Sequence, residues 1–112
     1  LTGMVVDIDR RRPLIANNTG GVSGAGIRPI AVRMVWEVCR AVSVPVIGMG
    51  GITCAEDALE FIIAGASAVQ VGTANFTDTL AMPRIIGGLN EWLDARGIKT
   101  LQELRGTLRL NN

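Results

Sequence analysis

The fold of this chain is decided by residues 44–52, which read VPVIGMGGI. A β-rich apolar run ends there in glycine, and a helix is predicted to follow it. Residues 68–76, which read AVQVGTANF, repeat the pattern one strand–helix unit later. Because glycine-marked strand ends expose backbone N–H groups, two such ends side by side can hold one phosphate group between them. The two stretches therefore predict an anion site at one edge of a parallel sheet.

The predicted elements alternate strand and helix, an order typical of a parallel sheet with helical crossovers. Residues 44–47 are continuously apolar, which predicts a strand buried on both faces, and residues 66–71 are predicted to form the next buried strand. In a TIM barrel, a phosphate commonly sits between the loops after strands seven and eight, and a whole barrel takes roughly 250 residues. The chain has 112. We therefore predict an α/β fold in which residues 1–112 form the C-terminal half of a TIM (β/α)8 barrel, with parallel strands alternating with helices.

Several local signals refine this prediction. Capping boxes at 53–56 and 100–103 predict helix starts, and Gly65 and Gly97 predict helix ends. Residues 3–15 predict a small hairpin around a charged turn. The glycine pair 87–88 predicts either close packing or a bend within a helix that opens at residues 82–83. The helix that opens at Pro29 should bury one apolar face, which comprises Ile30, Ala31, Met34, Val35, Val38 and Val42.

Composition excludes several classes of function. Apolar residues make up 48% and charged residues 19%, which is typical of a globular protein. The net charge of +1 gives no case for nucleic-acid binding, and the apolar runs are too short for a membrane span. The two cysteines form no metal-binding pattern, and we expect a cytoplasmic protein. Without histidine or tyrosine, the chain alone cannot supply a histidine base or a Ser–His pair.

Three motifs in order carry a resemblance to a known family. They are residues 19–24 (TGGVSG), 46–52 (VIGMGGI) and 64–76 (AGASAVQVGTANF). Together they resemble dihydroorotate dehydrogenase, and the residues of the second and third motifs are similar to those of its NAD-linked class. The resemblance implies an FMN-containing flavoprotein that oxidises dihydroorotate to orotate in pyrimidine biosynthesis. It also implies a homodimer that pairs with an iron–sulfur flavoprotein electron-transfer subunit.

The same resemblance assigns cofactor-binding residues. Gly24 matches a loop glycine that touches FMN. Gly50 and Gly51 match the phosphate-binding pair after the seventh strand, and Gly72 and Thr73 match the pair after the eighth. Those last four positions are also the ones that the backbone-donor argument selects, and the Thr73 hydroxyl could add a donor.

No catalytic residue and no metal ligand is assigned in this chain. The family's cysteine base and flavin-contacting lysine belong upstream of these motifs, and residues 18–19 do not match the family's substrate-binding Asn-Thr pair. The isolated chain is therefore predicted to be inactive. Cys54 stands at a helix start, where a thiol pKa is usually lowered, but we interpret it as structural or incidental.

Other interpretations remain open from the sequence. The glycines could serve tight turns alone. The chain could be half of another phosphate-binding barrel, either IMP dehydrogenase-like or dihydrouridine synthase-like. It could also be a self-associating phosphate-binding module, because half a barrel leaves strand edges and apolar surface uncovered.

Overall fold

The computed structural model describes residues 1–111. None of the helices in that range is long and apolar enough to cross a membrane. The strands are β1 (Thr2–Gly3), β2 (Val6–Asp7), β3 (Arg12–Pro13), β4 (Gly20–Gly21), β5 (Ile47–Met49) and β6 (Ala68–Gln70). The helices are α1 (Arg28–Ala41), α2 (Ala55–Ala64), α3 (Ala74–Thr77), α4 (Ala81–Ala95) and α5 (Leu101–Leu104), and a 3₁₀ turn at Ala25–Ile27 precedes α1.

The N-terminal strands form two small antiparallel pairs. Strand β2 pairs with β3, with Val6 opposite Pro13, which confirms the predicted hairpin. Strand β1 pairs with β4, with Thr2 opposite Gly21, and so brings the glycine-rich loop back beside the start of the chain. Arg10 and Arg11 lie in the exposed hairpin turn, as a solvated charged turn predicts, whereas the exposed Arg12 begins β3.

Strands β5 and β6 are parallel neighbours joined through α2. Ile47 lies opposite Ala68, and Met49 lies opposite Gln70. Because both strands run the same way, the loops that follow them emerge at the same edge of the sheet. This arrangement confirms the predicted strand–helix–strand unit.

The core is centred on α2, which packs between α1 and α4. Ala58 and Phe61 are fully buried in it. Two glycines allow these layers to approach closely, because a Cβ on Gly48 would lie 2.7 Å from Phe61 Cδ1 and one on Gly88 would lie 2.7 Å from Ala55 Cβ. The second contact confirms the close packing predicted within α4 at Gly88, whereas no atom among residues 1–111 lies within 4 Å of a Cβ built on Gly87. Small and aromatic side chains together fill this core, which is consistent with the close packing of protein interiors.

The predicted burial of both sheet faces is wrong. Ile47 is 52% exposed and Met49 is 55% exposed, and only Gly48 between them is buried. On α1, Ala31 is buried, whereas the predicted inward residues Ile30, Met34, Val38 and Val42 are all exposed. The reason is that the helices cover one face of a two-stranded sheet, and no element among residues 1–111 covers the other face.

The helix ends were predicted better than the helix starts. Gly65 and Gly97 both have positive φ at C-terminal ends, at 129° and 65°. The capping box at 53–56 does not form, because Asp57 rather than Glu56 accepts the Thr53 N–H. Helix α5 begins where predicted, but the Thr100 side chain caps no amide.

Candidate functional site

All five residues that the sequence singled out line one open cavity. Its volume is about 1130 Å³, and it lies at the edge of the sheet where β5 and β6 end. Its lining includes Gly24 from the N-terminal loop, Gly50 and Gly51 after β5, and Gly72 and Thr73 after β6. The structure therefore brings the predicted residues together, and the binding of a ligand by them stays a prediction.

The glycine pair after β5 is required by the fold itself. Gly50 and Gly51 have φ values of 128° and 71°, in a region that residues with side chains rarely adopt. A Cβ on Gly50 would lie 2.8 Å from Ala31 Cβ, and a Cβ on Gly51 would lie 2.7 Å from the Gly24 carbonyl oxygen. The steric interpretation therefore accounts for both residues without a ligand.

Gly72 after β6 has a different environment. Among residues 1–111, no atom lies within 4 Å of a Cβ built there, and the φ of Gly72 lies outside the left-handed region. Residues 1–111 therefore leave room for a side chain at this position, yet the residue is a glycine that lines the cavity. A backbone without a side chain is what close approach of a ligand requires, so Gly72 carries the stronger indication of binding.

The first amides of α3 have no acceptor within their own helical turn. Asn75 N–H bonds to the Gly72 carbonyl and Phe76 N–H to the Thr73 carbonyl, each at 3.0 Å. The first amides of a helical turn have no acceptor within it, so those of Thr73 and Ala74 remain for another partner. The Thr73 hydroxyl caps no amide of α3. The Asn75 side chain bonds to the Val71 carbonyl at 2.8 Å and ties the loop to the end of the strand.

A buried ion pair supports the loop after β5. Asp57 is 6% exposed and accepts hydrogen bonds from Thr53 N–H at 3.0 Å and from the Thr53 hydroxyl at 2.9 Å. Arg28 Nη1 lies 3.1 Å from the other Asp57 oxygen. Burial by itself would raise the pKa of Asp57, but the hydrogen bonds from Thr53 and Cys54 and the charge of Arg28 outweigh it and hold that pKa below its usual value.

The sequence interpretation assigned no such role to Asp57. A carboxylate at the third position of a helix, four residues after a threonine, was the available signal. Its pairing with Arg28 joins residues 29 positions apart in the chain, and no local pattern reports that contact.

Neither cysteine has the environment of an activated thiol. Burial, followed by the neighbouring carboxyl groups of Asp57 and Glu56, raises the pKa of Cys54, although the Asp57 backbone N–H opposes the shift. Burial also raises the pKa of Cys39, with Arg105 opposing it. Cys39 packs against Gly65, where an added Cβ would lie 2.8 Å from Cys39 Cβ. These environments agree with a packing role for Cys39 and give Cys54 no sign of activation.

Comparison with known proteins identifies the family. The family model described as dihydroorotate dehydrogenase matches residues 1–93. Three curated relatives share the name dihydroorotate dehydrogenase B (NAD(+)), catalytic subunit. The one from Trichlorobacter lovleyi is 59% identical over 108 residues, which cover 96% of this chain and 36% of the relative. Those from Geobacter sulfurreducens and Bacteroides fragilis are 56% and 50% identical over 110 residues, which cover 98% of this chain and 36% of each relative.

A solved structure shows the same architecture. The chain superimposes on the crystal structure of DHODH from Eimeria tenella in complex with ferulenol with a TM-score of 0.74 at 28% identity. The match covers 94% of this chain and 29% of the other. The fold is therefore part of a TIM barrel, as predicted.

The extent of these matches bounds what they establish. The chain spans about a third of the length of the curated relatives it matches. Members of the matched family are oxidoreductases and are in general flavin-dependent. On the family model, the curated relatives and the shared fold, this chain belongs to the dihydroorotate dehydrogenase family.

Proposed function

We propose that this chain is the FMN-phosphate-binding, C-terminal part of an NAD-linked dihydroorotate dehydrogenase that oxidises dihydroorotate to orotate in pyrimidine biosynthesis. The observation that carries the proposal is the convergence of two strand-end loops on one cavity, at which no contact among residues 1–111 requires Gly72 to be glycine. The names of the curated relatives support the substrate and the electron acceptor. The family match favours this proposal over the IMP dehydrogenase-like and dihydrouridine synthase-like alternatives.

The lining of the cavity fits a flavin phosphate. Its walls are largely apolar, and polar groups are few, which is typical of cofactor sites. Among residues 1–111, no aspartate or glutamate lines it, so no carboxylate there repels an anion. The amides of Gly50, Gly51, Gly72 and Thr73 would hold the phosphate with help from the Thr73 hydroxyl, and Gly24 would lie nearer the ribityl chain or ring.

A bound flavin would supply the hydride acceptor, and this chain would supply binding and orientation. It contains no histidine and no tyrosine, and burial raises the pKa of both of its thiols. We therefore propose that the 112-residue chain alone does not oxidise dihydroorotate. Formation of orotate by the purified chain would contradict this.

The partner is proposed on the name of the relatives. A catalytic subunit implies another subunit, and we propose an iron–sulfur flavoprotein electron-transfer subunit paired with a homodimer of the catalytic chain. The self-associating half-barrel remains the second candidate, because the face that carries Ile47 and Met49 is open. Sedimentation of the isolated chain tests it, since a concentration-independent monomer would contradict a self-association role.

The binding experiment requires a complete barrel. We define the completed barrel as a chimera in which this chain replaces its matching segment in the Trichlorobacter lovleyi catalytic subunit. Quenching of flavin fluorescence would give its affinity for FMN and for riboflavin, which lacks the phosphate. The proposal predicts that FMN binds at least about tenfold more tightly, a difference of about 1.4 kcal/mol. Equal affinity for the two flavins would contradict a phosphate site.

A further inference from the structure

A closed set of contacts surrounds the loop that joins β5 to α2. Arg28 binds one oxygen of Asp57 at 3.1 Å, and the other Asp57 oxygen binds the Thr53 N–H and hydroxyl. Two residues earlier, Gly51 packs against Arg28, since a Cβ on Gly51 would lie 2.9 Å from Arg28 Cβ and 3.0 Å from the Arg28 backbone nitrogen. The segment from Gly51 to Thr53 is therefore held at both ends by one ion pair.

The same contacts reach the glycine-rich loop. The Gly24 carbonyl accepts the Ile27 N–H at 3.2 Å, and its oxygen is the atom that a Cβ on Gly51 would approach to 2.7 Å. Arg28 directly follows this 3₁₀ turn in the chain. One ion pair thus fixes the separation between two loops that both line the cavity.

We propose that Arg28 and Asp57 are positioning residues for the anion site, and that their ion pair sets the backbone amides of the loop after β5 without either side chain touching the ligand. The inference rests on the proposed function, because it takes the ligand to be the phosphate of FMN. Gly51 and Thr53 line the cavity, whereas Arg28 and Asp57 are absent from its lining in the described chain.

The charge balance around Arg28 supports positioning rather than direct contact. Its guanidinium binds Asp57 and also Glu60, with Nε 3.3 Å from a Glu60 oxygen. Both oxygens of Asp57 are occupied, and its side chain is nearly buried. Two carboxylates thus compensate the positive charge of Arg28. Removal of Arg28 would leave the nearly buried Asp57 carboxylate without its counter-charge, and removal of the Asp57 charge would leave the guanidinium paired only with the more exposed Glu60. Either change is expected to displace the groups around the pair.

The test compares Asp57→Asn with a matched control in the completed barrel. Affinities for FMN and riboflavin are measured by flavin fluorescence, and their ratio isolates the phosphate site. Asp57→Asn should lower the ratio of FMN affinity to riboflavin affinity about tenfold. The reason is that a displacement of binding groups by a fraction of an ångström weakens binding by about that factor or more. Glu60→Gln removes a carboxylate from the same guanidinium, and among residues 1–111 Glu60 makes no side-chain hydrogen bond to the loop after β5, so this variant should keep the ratio within about twofold.

A second variant covers the case in which Asp57→Asn does not fold, as judged by circular dichroism. Arg28→Lys keeps the positive charge but loses the planar fork that binds two carboxylates, and it should also lower the FMN-to-riboflavin ratio. A folded Asp57→Asn or Arg28→Lys protein with an unchanged ratio overturns the positioning role. Equal binding of the two flavins by the unsubstituted protein overturns the phosphate site itself, so the two failures are distinguishable.

Discussion

The two loops of the proposed phosphate site contain glycine for different reasons. After β5, Gly50 and Gly51 combine positive φ with contacts that leave no room for a Cβ. After β6, Gly72 has ordinary backbone geometry and open space around it. The two glycine motifs look alike in sequence, but the first is required by packing and backbone conformation, whereas no contact among residues 1–111 requires the second. The comparison locates the evidence for a ligand in the second loop and the evidence for rigidity in the first.

The largest effect is expected in the loop after β5. Gly51→Ala would place a Cβ against the Gly24 carbonyl oxygen and the Arg28 backbone nitrogen, and neither backbone atom can move aside cheaply. We expect a loss of about 3 kcal/mol or more in the free energy of unfolding, measured by urea denaturation of the completed barrel. A change of less than about 1 kcal/mol would show that this loop is as permissive as the other.

Gly72→Ala should reverse that pattern. The added methyl meets no atom of the fold, so the free energy of unfolding should stay within about 1 kcal/mol of the unsubstituted protein. Affinity for FMN should fall about tenfold, or about 1.4 kcal/mol, because the methyl occupies space at the site. A variant that binds FMN normally would remove the main indication of a ligand.

The Thr73 hydroxyl offers a finer test of the loop after β6. Thr73→Val keeps the shape and removes a group that caps no amide of α3. We expect FMN affinity to fall by about 1 kcal/mol, as for loss of one hydrogen bond, while riboflavin affinity is unchanged. Equal losses for both flavins would place the hydroxyl away from the phosphate.

The loop after β5 should also carry the pH dependence of stability. The pKa of Asp57 is lowered in the folded chain, so its contribution is present above the unfolded value of about 3.9 and is lost as pH falls through the folded value. The stability difference between the unsubstituted protein and Asp57→Asn should therefore shrink as the pH falls below about 3.9. A difference independent of pH would contradict a charged Asp57.

Sequence patterns predicted what local chemistry determines. The parallel pair, the hairpin and the glycine caps follow from turn residues and apolar runs close together in the chain. The five site residues were chosen from motif positions, and the structure places them around one cavity. Local pattern also explains why Gly50 and Gly72 looked equivalent, since both follow an apolar strand.

The errors concern contacts between distant elements. Burial of Ile47 and Met49 depends on a covering layer that residues 1–111 do not contain. The choice of Asp57 over Glu56 as the partner of Thr53 depends on Arg28, which arrives from another helix. A local sequence pattern cannot predict either outcome, because each depends on contacts between residues that are far apart in the chain.

The most direct test of the central claim is a crystal structure of the completed barrel grown with FMN. The account predicts that the phosphate lies between the two loops, within hydrogen-bond distance of amides from the Gly50–Gly51 pair and the Gly72–Thr73 pair. A phosphate bound by one loop alone, or located elsewhere in the barrel, would contradict it.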